Sequence, residues 1–234
     1  MDTLPLFPLG TVMLPGILLP LRVFEPRYVA MMRAVEPVQA PFGLIGIRRG
    51  HEVGDPSPEL YQVGVAGTVA SMRRSPDHLS VEVRTGRRFH LDAVYEDRAP
   101  YLVGEVTWLE PEWDEGTDLG GGEHSGGDHS GDARSTRADL AGLSIRAAEA
   151  FASFTYSVGA RVDGLPVDDP YRLTAAILDG LGQPLPQLQE VLEAGDAARR
   201  LRTVIAMCRR EQQLAEVLGC RAARVTPPSR LSPN

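Results

Sequence analysis

The spacing of apolar and polar residues divides the chain into a β-rich first half and a helical second half. The clearest strand signal is the alternation over residues 79–85, where Leu79, Val81 and Val83 share one face. The other predicted strands cover residues 4–7, 11–14, 17–23, 42–48, 61–72, 89–95 and 102–108, with turns predicted at residues 76–77 and 85–86. Several short strands with this spacing predict a small closed or nearly closed barrel.

One helix interrupts these strands and should cover an end of the barrel. Pro26 suits a first helical position, because the N–H that it lacks would be unbonded there anyway, so Glu25 should stand at the helix start. Apolar residues then recur at helical spacing, at Phe24, Tyr28, Met32 and Val35.

In the second half, apolar residues lie three and four positions apart, which predicts helices. The first helix carries the stripe Leu140, Leu143, Ala147, Phe151, Phe154 and Val158. A second starts at Asp169, a short third covers residues 185–192, and Asp196 starts a fourth, the longest, which Gly219 ends. We expect a helical bundle over residues 136–219 and a disordered tail over residues 220–234.

A stretch rich in glycine, serine and acidic residues separates the two halves. Residues 116–135 offer too little apolar surface to offset the entropy of ordering and should form a flexible linker after a barrel over residues 1–115. His124 and His129 could bind a metal weakly there, but we favour a solvated linker because metal sites need ligands on ordered backbone. We expect no metal and no cofactor.

Composition excludes several functions. The chain has 234 residues, 43% of them hydrophobic, and a net charge of -7, which disfavours nucleic acid as a partner. All 24 basic residues are arginine, so a GxxxxGK[ST] phosphate loop, a Schiff-base lysine and a Ser–Lys dyad are excluded. The G-x-S-x-G and H-E-x-x-H motifs are also absent, and we expect a protein that is not an enzyme.

Targeting and cysteine patterns favour the cytoplasm. The N-terminus lacks the pattern of a signal peptide, and no apolar run approaches the roughly 18 residues of a membrane-spanning helix. Cys208 and Cys220 lack CxxC spacing, so we interpret them as reduced thiols.

Arginine doublets and an apolar opening are the two candidate binding features. The doublets lie at residues 48–49, 73–74, 87–88, 199–200 and 209–210; those of the barrel could clamp phosphates or an acidic peptide, although we favour solvated charge. Residues 4–28 are apolar but repeatedly interrupted by proline, which keeps segments at sheet edges. Part of residues 13–21 should therefore stay exposed, where an extended peptide could add as a strand, while the rest builds the core.

The opening, and FEPRY at residues 24–28 in particular, resembles the N-terminal substrate-binding domain of Lon ATP-dependent proteases. Residues 42–47, 67–70, 86–89 and 101–110 fit the resemblance, and residues 168–218 are similar to the C-terminal bundle of that domain. The resemblance implies an α+β fold, with a PUA-like, mostly antiparallel β-barrel, one covering helix and a C-terminal helical bundle. It also implies recognition of protein segments by a stand-alone protein without the ATPase and peptidase domains.

We therefore predict a non-catalytic module that binds exposed hydrophobic or unfolded protein segments, alone or as an adaptor to a protease. It would use the apolar barrel edge and a crevice between barrel and bundle. The candidate peptide contacts are Met13, Leu14, Ile17, Leu18, Leu19, Phe24 and Tyr28. Residues expected to maintain the motif geometry are Pro15, Gly16, Pro20, Glu25, Pro26, Arg27, Gly67, Arg88 and Phe89, with Glu25 and Arg27 acting by capping and ion pairing.

The alternative function is RNA binding by the PUA-like barrel through its arginine doublets. Binding that falls steeply with salt would favour this alternative, since phosphate contacts release counterions. The identity of the protein partner stays open between a protease, a misfolded client and a small hydrophobic ligand, and so does the oligomeric state.

Overall fold

The computed structural model describes residues 2–55, 57–109 and 130–218, the last range with side chains from residue 139 onward. Residue contacts group this part of the chain into two compact units. The first contains residues 2–109 and 183–193, and the second contains residues 130–182 and 194–218. Most of the predicted linker, the predicted helix stop at Gly219 and the predicted tail lie outside the described residues.

The first unit contains the β-barrel. Its strands are β1 (Asp2–Leu9), β2 (Leu18–Val23), β3 (Phe42–Arg49), β4 (Glu59–Leu60), β5 (Val63–Arg74), β6 (Leu79–Tyr95) and β7 (Val103–Trp108). They pair in the order β1-β7-β6-β5-β3, and a parallel pairing of β1 with β3 closes the ring. The other pairings in the ring are antiparallel, which confirms the predicted α+β fold with a mostly antiparallel barrel.

The barrel core is built around Phe89, whose side chain is fully buried. A Cβ atom on Gly43 or Gly64 would lie 2.7 Å or 2.5 Å from the ring Cζ, so only glycine leaves room for the ring at these two positions. A Cβ atom on Gly67 would likewise lie 2.5 Å from a Val83 methyl carbon.

Strand β6 differs from the sequence prediction because it runs straight through residues 85–86, where a turn was expected. Its first half pairs with β2, its second half pairs with β7, and β5 lies along both. Thr85 is held extended by long-range hydrogen bonds, since its N–H donates to the Ile17 carbonyl at 2.9 Å. The predicted turn is wrong, and residues 11–14 do not form the predicted strand.

The helices are α1 (Pro26–Val35), α2 (Ser130–Ser157), α3 (Pro170–Leu181), α4 (Leu185–Glu193) and α5 (Ala197–Leu218). In the second unit α2 packs on α5 and α3, and α2 rather than α5 is the longest. Asp169 caps α3 by accepting from the Tyr171 and Arg172 N–H groups at 3.0 Å, as predicted. Asp196 likewise accepts from the Arg199 N–H at 2.7 Å. Helix α2 begins at Ser130, inside the predicted linker.

Helix α4 belongs to the barrel unit, although the sequence assigned it to the bundle. The amide Nε2 of Gln189 donates to the Val63 carbonyl of β5 at 3.0 Å. Arg88 of β6 is buried and donates from NH1 to the Leu192 carbonyl at 3.0 Å. Two polar side chains therefore fix this helix to the barrel.

Candidate functional site: an apolar cleft beside the first helix

A tight turn at Pro15 and Gly16 sets the position of β2. Gly16 has a φ of 76°, which glycine adopts without strain, and its N–H donates to the Thr85 carbonyl at 3.1 Å. The buried Thr85 hydroxyl donates to the Leu14 carbonyl at 2.7 Å and accepts from the Ile17 N–H at 2.9 Å. These bonds fix the turn on β6 and determine where the next strand starts.

The alternation of β2 then decides which apolar residues reach solvent. Leu19, Leu21 and Val23 point into the core, whereas Leu18, Pro20 and Arg22 are exposed. Within the described residues β2 pairs with β6 only, so its other edge carries no strand. Pro20 lies in this edge strand, which agrees with the expectation that proline keeps such segments at sheet edges.

Most of the predicted peptide contacts are core residues. Met13, Leu14, Ile17 and Leu19 are at most 9% exposed, because the Thr85 bonds and the strand alternation turn them inward. The prediction that part of residues 13–21 is exposed to solvent is therefore wrong for these four side chains. Leu18 and Phe24 are exposed to 51% and 48%.

Arg27 organises the start of α1 and the loop that faces it. Its Nε donates to Glu25 Oε2 at 3.0 Å, and its NH1 donates to the Asp55 carbonyl at 2.8 Å. Its guanidinium carbon also lies 4.6 Å from the centre of the Tyr28 ring. The predicted ion pair is present, but Glu25 occupies the N-cap position without a side-chain capping bond. Pro26 follows it in the first turn, as predicted.

An open cleft of about 110 Å³ lies next to this helix start. Its walls come from β1, β2, the start of α1 and the loop after β3. The lining residues are Phe7, Leu9, Leu21, Arg22, Val23, Phe24, Glu25, Tyr28, Glu52 and Val53. Phe24 and Val53, which is 57% exposed, stand in solvent at its mouth. Hydrophobic surface therefore reaches solvent within the first thirty residues, at the predicted contacts Leu18 and Phe24 but not at Met13, Leu14, Ile17 or Leu19.

Tyr28 forms the polar end of the cleft. Its ring lies 4.4 Å from the ring of Phe7, centre to centre. Burial raises the pKa of Tyr28 to about 12, because a phenolate would lose its hydration. Arg27 lowers this pKa and the carboxylates of Glu25, Glu52 and Asp55 raise it. The hydroxyl is therefore neutral at physiological pH and sits among charged groups.

The loop of residues 50–55 forms one wall of the cleft, and none of its residues was among the predicted site residues. Glu52 accepts from the Gly10 N–H at 2.9 Å, and Asp55 Oδ2 accepts from the His51 N–H at 3.2 Å. Gly50, with a φ of 114°, starts this loop in a conformation that favours glycine. Residues 50–55 contained the usable signal, since glycine next to short acidic side chains is typical of an ordered turn.

The arginine doublets of the barrel have several separate roles. Arg48 NH1 lies 3.2 Å from a Glu59 carboxylate oxygen in a solvent-exposed pair, and Arg73 and Arg74 are exposed. The Arg87 guanidinium stacks 5.1 Å from the centre of the Trp108 ring. Buried Arg88 binds α4, so its interpretation as solvated charge is wrong.

The described residues contain no group of three or more His, Cys, Asp or Glu side chains placed to bind a metal ion, and His124 and His129 lie outside them. In the same part of the chain, no helix is long and apolar enough to cross a membrane.

A closed, mostly antiparallel barrel with an added edge strand, a helix start beside an apolar cleft and a helical second unit define an α+β protein of the β-barrel-plus-helices class. The chain belongs to the family of ATP-dependent protease La (Lon) substrate-binding domains, whose family model matches residues 3–210. A protein entitled Lon N-terminal domain protein from Xanthomonas campestris has a similar structure, with a TM-score of 0.56, 25% sequence identity and coverage of 88% of this chain and 98% of that one. The N-terminal domain of the Mycobacterium avium complex Lon protease, 19% identical with a TM-score of 0.51, shares the fold.

Two curated relatives of this chain are named Lon protease 2. Lon protease 2 of Sorangium cellulosum is 27% identical over 92% of this chain and 26% of its own length. Lon protease 2 of Myxococcus xanthus is 25% identical over 92% of this chain and 24% of its own length. The chain thus spans about a quarter of the length of these relatives, in the part that corresponds to the substrate-binding domain.

Proposed function

We propose that this chain is a non-catalytic recognition module that binds exposed hydrophobic or unfolded protein segments in the cleft beside α1. The observation that supports this most directly is the solvent exposure of Phe24 and Val53 at the mouth of an apolar cleft in a domain of the Lon substrate-binding family. A partner that covers large exposed apolar side chains removes their surface from water, and this favours binding. The absence of lysine from this chain supports a role without ATPase or Ser–Lys chemistry.

The unpaired edge of β2 supports an extended ligand. A peptide that adds along this edge would receive backbone hydrogen bonds, while an apolar side chain enters the cleft. Leu18 is exposed at the beginning of the same strand and would contact the far end of such a peptide. The bound segment is therefore proposed to run along β2 with one anchoring side chain near Tyr28.

The experiment measures binding of a fluorescein-labelled peptide, with leucine and phenylalanine at alternate positions, by fluorescence polarisation. The Phe24→Ser and Val53→Ser variants should each raise Kd about tenfold, as loss of a central apolar contact usually costs on the order of 1.4 kcal/mol. Val38→Ser is the matched control, because Val38 is 72% exposed and does not line the cleft. It should bind as the parent chain does.

The result that contradicts this proposal is binding that survives both cleft variants. A single-stranded RNA probe, tested in parallel, distinguishes the alternative function. RNA binding that falls steeply with salt and weakens in Arg73→Gln would favour it, since these contacts would be to phosphate. Apolar binding should instead resist moderate salt.

We also propose that the captured segment is destined for a protease. The support is the relationship itself, since the curated relatives are named Lon proteases and this chain corresponds to their substrate-binding part. Degradation of an unfolded client by a Lon-type protease, with and without this chain added, tests an adaptor role. Acceleration that Phe24→Ser removes is expected, and an unchanged rate contradicts it.

A further inference from the structure

The cleft has a chemically distinct end at Tyr28. This side chain is only 3% exposed and lines the cleft, and its hydroxyl forms no hydrogen bond with any residue in the described part of the chain. The hydroxyl oxygen is not among the fully buried unpaired polar atoms of the described residues, so it reaches the cleft, where a hydroxyl without a protein partner meets water or a ligand group. The hydroxyl is therefore available to a polar group that enters the cleft.

The charges around this hydroxyl are predominantly negative. Glu25 is already paired with Arg27 at 3.0 Å, which leaves Glu52 and Asp55. Both of these carboxylates accept hydrogen bonds from backbone N–H groups, and neither forms an ion pair within the described residues. Both raise the pKa of Tyr28, and Glu52 lines the cleft together with it.

The charged residues that line the cleft are Arg22, Glu25 and Glu52, so Arg22 is the basic one. It lies on the exposed face of β2 and does not contribute to the electrostatic surroundings of Tyr28. The cleft thus has an acidic end at Tyr28 and a basic residue elsewhere on its wall. A ligand with a cation beside its apolar anchor complements this arrangement.

We propose that the cleft selects hydrophobic segments that carry a lysine or arginine next to the anchoring apolar side chain. The ligand cation would lie beside Glu52 and donate a hydrogen bond to the Tyr28 hydroxyl, while the apolar side chain contacts Phe24. Segments with an acidic residue at the same position are disfavoured, because that carboxylate would face the carboxylate of Glu52. This inference rests on the proposed function, since it specifies the ligand of the same cleft.

Three peptides with identical apolar residues test the preference, with lysine, serine or glutamate beside the anchor. Kd should rise in the order lysine, serine, glutamate, and the first and last should differ about tenfold at low salt, as expected for two successive changes at partly exposed charges. The difference should shrink at high salt, because screening shortens the range of these interactions.

Glu52→Gln separates this local effect from the overall acidity of the chain. The glutamine side-chain oxygen can still accept from the Gly10 N–H, so the loop is expected to keep its fold. This variant should weaken the lysine peptide about threefold more than it weakens the serine peptide. Glu82→Gln is the matched control, since Glu82 is an exposed carboxylate on β6 that accepts from Ser71 Oγ at 2.6 Å and does not line the cleft. It should change neither affinity.

The outcomes distinguish the two proposals. If none of the peptides binds, the proposed function fails. If all three bind equally, or the lysine preference is the same in Glu52→Gln and in the parent chain, the cleft binds apolar segments without the charge selection, and this inference alone is overturned.

Discussion

Replacing Thr85 by valine removes one hydroxyl from the barrel while keeping the shape of the side chain. Thr85 is 2% exposed, and its hydroxyl bonds to the Leu14 carbonyl at 2.7 Å and to the Ile17 N–H at 2.9 Å. Both bonds are buried and would lose their partner. Each such loss costs about 1–3 kcal/mol, so the free energy of unfolding should fall by about 2–6 kcal/mol.

Urea denaturation followed by tryptophan fluorescence measures this loss, since Trp108 lies in β7 of the same unit. With a denaturant slope of about 2 kcal/mol/M, the midpoint should fall by about 1–3 M. Thr107→Val is the control, because the Thr107 hydroxyl donates to Asp92 at an exposed site, and it should change stability by less than about 0.5 kcal/mol. A Thr85→Val midpoint equal to that of the control would refute the view that this hydroxyl holds the turn before β2.

Two further predictions concern packing in the two units. Gly64→Ala should destabilise the barrel by about 1–3 kcal/mol in the same urea assay, because the added Cβ would lie 2.5 Å from the Phe89 ring. Gly86→Ala is the control and should be tolerated, because its added Cβ would lie 3.8 Å from the nearest atom. In a Cys220→Ser background, Cys208 should resist thiol reagents at pH 8 in the folded chain and react after unfolding, since burial raises its pKa to about 12. Because the folded chain keeps this thiol protonated, the free energy of unfolding should fall as the pH rises above about 9, where the thiol of the unfolded chain ionises. Rapid labelling of Cys208 in the folded chain would contradict its burial.

Local sequence patterns predicted most elements because each is governed by its own residues. The alternation at Leu79, Val81 and Val83 marks the buried face of β6. Asp169 caps α3 by accepting hydrogen bonds from N–H groups only two and three residues further along the chain. The closed barrel followed from many such strands. Its parallel closure by β1 and β3 did not follow, because that pairing joins distant segments.

The errors occur where a distant partner decides the outcome. A Thr–Gly pair is typical of a turn, but Thr85 stays extended because residues 14–17 bond to it. Arg88 looks like a surface arginine in sequence, and its burial depends on a carbonyl of Leu192 that lies far along the chain. Periodicity likewise identified α4 as a helix without indicating that it packs on the barrel.

The candidate site was predicted in part for the same reason. Phe24 and Tyr28 were identified through the FEPRY segment, and both line the cleft. Glu52 and Val53 were not, because they reach the cleft through a loop anchored by Arg27 and by the Gly10 N–H. Whether a peptide occupies this site stays a prediction.

Hydrogen exchange with and without the lysine-containing apolar peptide tests the central claim most directly. Amides that a ligand covers exchange more slowly, and the exchange of each segment is read separately. Bound peptide should slow exchange at residues 18–28 and 51–55 and leave α3 and α5 unchanged. Protection confined to the helices of the second unit, with none along β2 or beside Tyr28, would contradict the account.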